Sequence, residues 1–261
     1  MTTVPTADPS APKTRPPGKI VVVMPARNAG KTLEETYRAI PQEWVDEVIL
    51  VDDDSSDNTV DLARSLPLHV IWHPHNVGYG GNQKTCYLQA LQHDADVVVM
   101  LHPDGQYEPT LIPKLVEPIL HDRADLVLGS RLAPDPRLAL EGGMPKWKWV
   151  ANRGLTAVEN RVLGTHLSEM HSGYRAYSRE LLVNVPFLRN ALDFSFDSEM
   201  LMQAAHFGYR IAEVPTRTIY FDDASSVGLK ASTVYGLKTL GAAGRLMLHR
   251  RGVWRSRKFQ P

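Results

Sequence analysis

Four short polar clusters each end an apolar run in this sequence, and their residue types are those that hold phosphates and cations. They are Pro25-Ala26-Arg27-Asn28 after "KIVVVM", Asp52-Asp53-Asp54 after "DEVILV", His102-Pro103-Asp104-Gly105-Gln106 after "ADVVVML", and Ser130-Arg131 after "ADLVLG". Asp104 offers a carboxylate that could hold a divalent cation bridging diphosphate oxygens, although "PDG" is also a strong turn sequence. Three adjacent aspartates repel one another unless donors, cations or water relieve them. They could accept hydrogen bonds from a nucleotide base or ribose, or form a solvated loop in which "DSSD" caps a helix. Arg131 could pair with a phosphate or with a neighbouring carboxylate. Each cluster is ambiguous alone, so the question is whether the fold brings them together.

The elements between the clusters answer that question. Short apolar runs at "KIVVVMP", "DEVILVDDD", "LHVIWHP", "ADVVVML" and "ADLVLGSR" read as buried strands. Helical patterns separate them at "NAGKTLEETYRAIP", "SSDNTVDLARSL", "GGNQKTCYLQALQH" and "PTLIPKLVEPILHD". Continuous apolar strands alternating with helices predict an α/β fold with a mostly parallel sheet covered on both faces. Ligands of such sheets sit beyond the carboxyl ends of the strands, so all four clusters point at one rim.

After Arg131 the pattern changes. "LAPDPRLALEGGMP" reads as a loop and "KWKWVANRGLTAVENRVLG" as a helix with Trp147, Val150, Leu155, Val158 and Val162 on one apolar side. "HSGYRAYSRELL" reads as a turn, a short strand and a helix start. "FDSEMLMQAAHFG" is a helix stopped at Gly208, "YRIAEVPTRTIYF" is extended, and "LKASTVYGLKTLGAAGRLMLHR" is an amphipathic helix. Residues 1–17, rich in Pro, Thr and Ala, read as a disordered leader.

Formal net charge is zero, with 29 basic and 29 acidic residues, which argues against a general nucleic-acid binder. Basic residues concentrate at the end, where 224–261 contains Lys and Arg but no Asp or Glu. A single cysteine, Cys86, excludes an internal disulfide framework and reads as a small packed residue. No signal peptide and no run of about 18 apolar residues is present, which predicts a cytoplasmic protein.

The segments "VVVMPARNAGKTLEETYRAI", "VILVDDDSSDNT", "VVVMLHPDGQYEP", "LVLGSRL" and "SEMHSGYRAYSRE" together resemble the successive motifs of family 2 glycosyltransferases with the GT-A fold, most of all polyprenyl- and dolichyl-phosphate sugar synthases. The resemblance spans roughly residues 19–228. It implies a Rossmann-like three-layer α/β/α sandwich, with a nucleotide-sugar half at 18–131, an acceptor half at 132–228 and a basic tail at 229–261. It places Pro25, Arg27 and Asn28 on the nucleotide loop, Asp53 at the base with Asp52 beside it, and Asp104 at the last position of the metal-binding DxD motif, with Gln106 following. Arg131 and its companion Arg153 are implied phosphate contacts, and Mg²⁺ or Mn²⁺ is the implied cofactor. The chain departs from the motif at His102, which stands for the first aspartate; a neutral imidazole can still ligate a metal or bond a sugar.

The resemblance also implies an inverting displacement, in which an acceptor oxygen attacks one face of the sugar while a nucleoside diphosphate leaves from the other. An alcohol acceptor needs a general base, whereas a lipid monophosphate is already largely anionic. Glu169 is the first candidate base, with Asp197 and His171 as alternatives. "FDDASSVG" at 221–228 matches the family's mobile loop over the site. The final helix, with apolar Val234, Leu237, Leu240, Leu246 and Leu248, suits docking on the domain, and "HRRGVWRSRKF" suits an anionic membrane surface at the inner face. The expected reaction is hexose transfer from a UDP- or GDP-sugar to a polyprenyl phosphate. Open alternatives are a saccharide or small-molecule hydroxyl acceptor, nucleotidyl transfer, and non-catalytic binding of a sugar nucleotide.

Overall fold

Strand β1 (Ile20–Ala26) shows how the layers arise. Ile20 through Met24 are all 0% exposed, because alternate side chains of a strand meet different helix layers. Val21 and Val23 enter one core, while Ile20, Val22 and Met24 enter a second core on the other face. In the computed structural model, which describes residues 15–217 and 229–260, the other strands are β2 (Glu47–Asp52), β3 (His69–Trp72), β4 (Val97–Met100), β5 (Leu126–Ser130), β6 (Arg175–Ser178) and β7 (Ile211–Pro215). They form one sheet in the order β3-β2-β1-β4-β6-β5-β7. All pairings are parallel except those of β6, which runs against both β4 and β5.

The helices are α1 (Leu33–Arg38), α2 (Thr59–Ser65), α3 (Tyr79–Gln92), α4 (Ile112–Leu120), α5 (Arg137–Glu141), α6 (Lys146–Leu163), α7 (Arg179–Asn184), α8 (Ser195–His206) and α9 (Leu229–Arg250). Leu33 of α1, Ala63 of α2 and Leu115 of α4 cover one face of the sheet. Cys86 of α3, Met200 of α8 and Leu246 of α9 cover the other. The expected three-layer α/β/α sandwich is the observed fold.

Four local expectations differ from the structure. The loop expected at 132–145 contains the short helix α5. Helix α6 turns its apolar side outward: Trp147, Val150 and Val158 are exposed, and the buried residues are Asn152, Thr156, Glu159 and Leu163. The cause is chemical, because this helix lies beneath buried Glu169 and His171, and its inward polar side chains are their partners. Helix α9 does so in part, with only Leu246 of its expected apolar residues buried. Val234, Leu237, Leu240 and Leu248 are exposed, while Thr239, Ala242, Ala243 and Leu246 are buried. Finally, the basic end is partly occupied by the domain itself: Ser256 and Phe259 are buried, Lys258 pairs with Glu199, and Arg189 donates to the carbonyls of Arg257 and Gln260.

Of the expected leader, 15–17 lie among the described residues, and Arg15 donates to Asp46 and to the Trp44 and Gly18 carbonyls. Residues 1–14 and the expected mobile loop at 221–228 lie outside them. Among the described residues, no helix is long and apolar enough to cross a membrane.

Candidate active site

The carboxyl ends of β1, β2, β4 and β5 border a single cavity of about 1230 Å³. Because β6 is antiparallel, it presents its amino end there, which delivers the 169–174 segment to the same rim. Pro25, Arg27, Asn28, Asp53, Asp104 and Gln106 line the cavity. So do His102, Arg131, His171 and Asp197. Three other expected site residues do not: Asp52, Arg153 and Glu169.

Asp52 is the last residue of β2, is fully buried, and accepts from the Ser55 backbone N–H and hydroxyl, closing the turn. Arg153 is exposed on the outer side of α6, stacked on the Trp149 ring at 4.7 Å. Glu169 is 1% exposed, and its carboxylate accepts the Arg131 backbone N–H at 2.7 Å, the Arg131 guanidinium and the Asn152 amide at 2.8 Å. Burial opposes its ionisation, but the Arg131 charge and these donors overcome that and hold its pKa below the usual value. Arg131 therefore pairs with a carboxylate of its own chain.

The aspartate cluster divides into distinct roles. Asp53 accepts from the Val77 N–H at 2.8 Å, the Gly78 N–H at 3.1 Å and the Asn76 amide at 2.9 Å, and it meets His73 Nδ1 at 3.1 Å. One carboxylate thus organises the whole connection from β3 to α3. Asn28, held at φ 53°, accepts from the Ser56 N–H, so the loops after β1 and β2 brace each other. Asp104 accepts the Gln106 N–H at 3.0 Å through Oδ1, within the turn that its sequence suggests. It does so while facing the cavity.

On the opposite wall, Asp197 in the first turn of α8 accepts from the Tyr79 hydroxyl at 2.7 Å and the Gln83 amide at 3.1 Å. Burial, followed by the Asp197 charge, pushes the Tyr79 phenol well above its usual pKa, so it stays a donor. Tyr79 also stacks on His102, with ring centroids 5.5 Å apart and planes 9° apart. Gly173 maintains this placement, because a Cβ there would lie 2.9 Å from His102 Nε2. Behind Asp197, the fully buried Arg175 donates to three backbone carbonyls, those of Ser172, Asp197 and Met170. Desolvation disfavours its charge, but the Asp197 carboxylate more than compensates and raises its pKa. His171 meets the Tyr235 hydroxyl through Nδ1 at 2.8 Å and Glu159 through Nε2 at 3.1 Å, the latter too oblique for a hydrogen bond.

Several cavity residues were not assigned to the site by the sequence. Tyr79, Asn82 and Asn76 lie on the α3 side, and Lys148, Trp147 and Tyr235 lie on the α6 and α9 side. Burial and the neighbouring Arg131 charge lower the Lys148 pKa. The signal for the first group was the "HNVGYGGN" stretch, where glycines admit a close approach: a Cβ on Gly80 would lie 2.4 Å from the Ala191 carbonyl oxygen. No local signal marks the second group, because their helix faces are decided by distant partners.

Comparison with known proteins adds four findings. A family model described as "Glycosyl transferase family 2" matches residues 21–185. The UDP-N-acetylglucosamine–dolichyl-phosphate N-acetylglucosaminyltransferase of Methanococcus voltae is 30% identical over 218 residues, covering 77% of this chain and 86% of the relative. The undecaprenyl-phosphate mannosyltransferase of Micrococcus luteus is 28% identical over 246 residues, covering 87% of this chain and 96% of the relative. Among solved structures, Mycobacterium tuberculosis glucosyl-3-phosphoglycerate synthase, in complex with Mn²⁺, UDP and phosphoglyceric acid, superposes with a TM-score of 0.66 at 22% identity. That match covers 92% of this chain and 80% of the other, and the two share the GT-A fold.

Proposed function

The chain belongs to glycosyl transferase family 2, and from that premise we propose that its cavity transfers a hexose from a nucleoside diphosphate sugar to the phosphate of a polyprenyl lipid, with inversion at the anomeric carbon. The observation that carries this reading is the state of the three candidate bases. Glu169 is tied to Arg131, Asp197 to Tyr79 and Gln83, and His171 meets Tyr235 through Nδ1 while its Nε2 is turned to Glu159, away from the cavity's solvent, with 7% side-chain exposure. A hydroxyl acceptor needs a proton removed. A phosphate monoester, with a second pKa of about 6, already carries its nucleophilic oxygen as an anion. The site suits the second acceptor, for which positioning matters more than proton removal.

The walls support a lipid. Trp147 and Leu155 of α6 and Tyr235 of α9 line the cavity, together with Leu192 and Phe194. Outside it, both helices expose apolar side chains, with Val150 62% and Leu237 66% exposed. Apolar surface of this kind marks a partner or a membrane. The two relatives above carry dolichyl phosphate and undecaprenyl phosphate in their names.

In the proposed geometry, the nucleotide lies across the loops after β1 and β2, with Arg27 and Asn28 at its edge and Asp53 holding the loop that frames it. Asp104 and His102 offer a carboxylate oxygen and an imidazole nitrogen beside the diphosphate. Asp104 spends Oδ1 on Gln106, and among the described residues its other oxygen makes no hydrogen bond or ion pair. A carboxylate-plus-imidazole set with positions left for phosphate oxygens fits Mn²⁺, and a carboxylate alone fits Mg²⁺. Such an ion, when bound, neutralises charge that develops on the departing diphosphate. An acceptor phosphate oxygen forms the new bond to the anomeric carbon as the bond to the diphosphate oxygen breaks, and the nucleoside diphosphate leaves. Lys148 adds positive potential on the acceptor side.

The direct test offers UDP- and GDP-sugars with Mn²⁺ and a short-chain polyprenyl phosphate. The expected products are lipid-linked sugar and nucleoside diphosphate in equal amounts. Pyrophosphate release would indicate nucleotidyl transfer instead. Transfer to a saccharide or small hydroxyl compound, with none to the lipid phosphate, would reject the acceptor assignment.

A membrane contact at the turn after α9 completes the proposal. Val253 is 73% exposed and Trp254 50%, and Arg251 and Arg255 beside them are exposed. Replacing Arg251 and Arg255 by alanine is expected to weaken sedimentation with phosphatidylserine vesicles by about fivefold per arginine. Binding unchanged by the substitutions and by salt would reject the contact. Point substitution is the better probe, since truncation would also remove Lys258 and Phe259 from α8.

A further inference from the structure

Glu47, His69 and His93 meet at the rim of the sheet opposite the cavity. Glu47 opens β2, and a rise of roughly 3.3 Å per residue separates it by about 16 Å from Asp52 at the other end. His69 opens β3, and His93 follows the last turn of α3, the helix whose first turn borders the cavity. Oε1 of Glu47 lies 2.9 Å from His69 Nε2 and 2.5 Å from His93 Nδ1. The two imidazoles stand edge to face with centroids 5.0 Å apart. One ligand atom from each of the three residues lies within 4.8 Å of the others. Burial opposes ionisation of Glu47, but Lys19, whose Nζ is 2.9 Å from Oε2, and His93 lower its pKa and keep it a carboxylate.

None of these residues lines the cavity. We propose that Glu47, His69 and His93 form a metal site distinct from the cavity, taking a borderline transition ion such as Zn²⁺ through one Glu47 oxygen, His69 Nε2 and His93 Nδ1. Two imidazoles and one carboxylate suit Zn²⁺, whereas Mg²⁺ prefers an all-oxygen shell. Bonds of about 2.0–2.2 Å in a tetrahedron place ligand atoms roughly 3.3–3.6 Å apart. Small rotations of the two imidazoles away from Glu47 reach that spacing. His69 is 60% exposed and His93 30%, so solvent gives access to the ion and supplies its fourth ligand. Lys19 stays on the far carboxylate oxygen and leaves Oε1 to the ion.

The three ligands come from β2, β3 and the end of α3, so the ion fastens the edge strand of the sheet. β3 needs such a fastening: His69 and Trp72 are exposed and Val70 and Ile71 only half-buried. Among the described residues it pairs with β2 alone.

The test is calorimetric titration of the metal-stripped full chain with Zn²⁺, carried out in an Asp104→Asn background so that the cavity does not contribute. One Zn²⁺ per chain is expected, with affinity falling at least tenfold in His69→Ala and again in His93→Ala. In the same Asp104→Asn background Zn²⁺ should also raise the Tm and slow amide exchange at 69–72, and it should do neither once His69→Ala is added. Both histidines are at least partly exposed, so their replacement leaves the cores intact. His69→Gln provides a second variant of similar size. No stoichiometric Zn²⁺ binding in the parent, or equal affinity in parent and histidine variants, would overturn the site and leave a carboxylate hydrogen-bonded to two imidazoles.

Discussion

Asp104→Ala is expected to lower sugar transfer by on the order of 10³-fold at saturating donor and metal, comparable to removing a principal electrostatic group from a preorganised site. Two functions of Asp104 must be separated to interpret that loss. Oδ1 accepts the Gln106 N–H and shapes the turn after β4, whereas the charge is what a divalent ion requires. Asp104→Asn keeps an acceptor oxygen for Gln106 and removes the charge. It should therefore keep the parent Tm within about 2 °C, as for changes outside a packed core, while losing turnover almost as completely as the alanine variant. Full metal-dependent activity in Asp104→Asn would reject Asp104 as the ligand. A folded alanine variant with normal kcat would do the same.

The second large effect concerns stability. Glu169 and Arg131 form an ion pair with side-chain exposures of 0% and 7%. Deleting one member of a buried pair strands the other charge and costs about 3–5 kcal/mol. In a chain of this size that corresponds to a fall in Tm on the order of 10 °C for Glu169→Ala. Arg131→Met/Glu169→Leu should recover most of that loss, because apolar residues of similar volume can replace a buried pair at little cost. The pH dependence has a definite sign. The folded carboxyl titrates below its unfolded value of 4.5, so the unfolded state binds the proton more readily. The contribution is fully present above pH 4.5 and is lost as pH falls through the folded pKa. Thermal melts from pH 7 down to pH 3 should show the gap between parent and Glu169→Ala narrowing only in the acid range. A variant with parental Tm and reduced kcat alone would return Glu169 to the role of general base.

Much of this site was legible because its residues follow strands that are apolar on both sides. Continuous burial at β1, β2, β4 and β5 makes the strand ends easy to locate, so Arg27, Asn28, Asp53, Asp104 and Arg131 could be assigned to one rim before their contacts were known. Their contacts were less legible. Whether Arg131 faces a phosphate or a carboxylate depends on Glu169, which is 38 residues away. The faces of α6 and α9 were only partly legible for a related reason: Leu246 is buried and Val162 packs on the core, but Val150, Val158, Val234 and Leu237 are exposed. A helix normally buries its apolar side, but α6 must supply Asn152 to Glu169 and Glu159 to His171. Helix α9 supplies Tyr235 to His171 and Thr239 to Ser198. Local periodicity carries no information about such partners. Arg175 is a further case: nothing in "GYRAYS" marks this charged residue for burial, yet it is completely buried and holds the backbone behind Asp197.

The reversed strand β6 also constrains how this chain is assembled and how its line could have diversified. Its pairing partners, β4 and β5, are complete by residue 130, but β6 itself ends at residue 178. A nascent chain emerging from the ribosome therefore cannot close its sheet until the whole 131–174 excursion has been synthesised. Until then β4 and β5 present unpaired edges to each other and to any neighbour, the condition under which strands associate wrongly. Residues 18–131 do not form a self-contained cassette, because any graft after residue 131 must bring its own version of β6 in register with β4 and β5. The excursion between the two strands is therefore free to change in sequence and length, while the strand that returns from it is fixed.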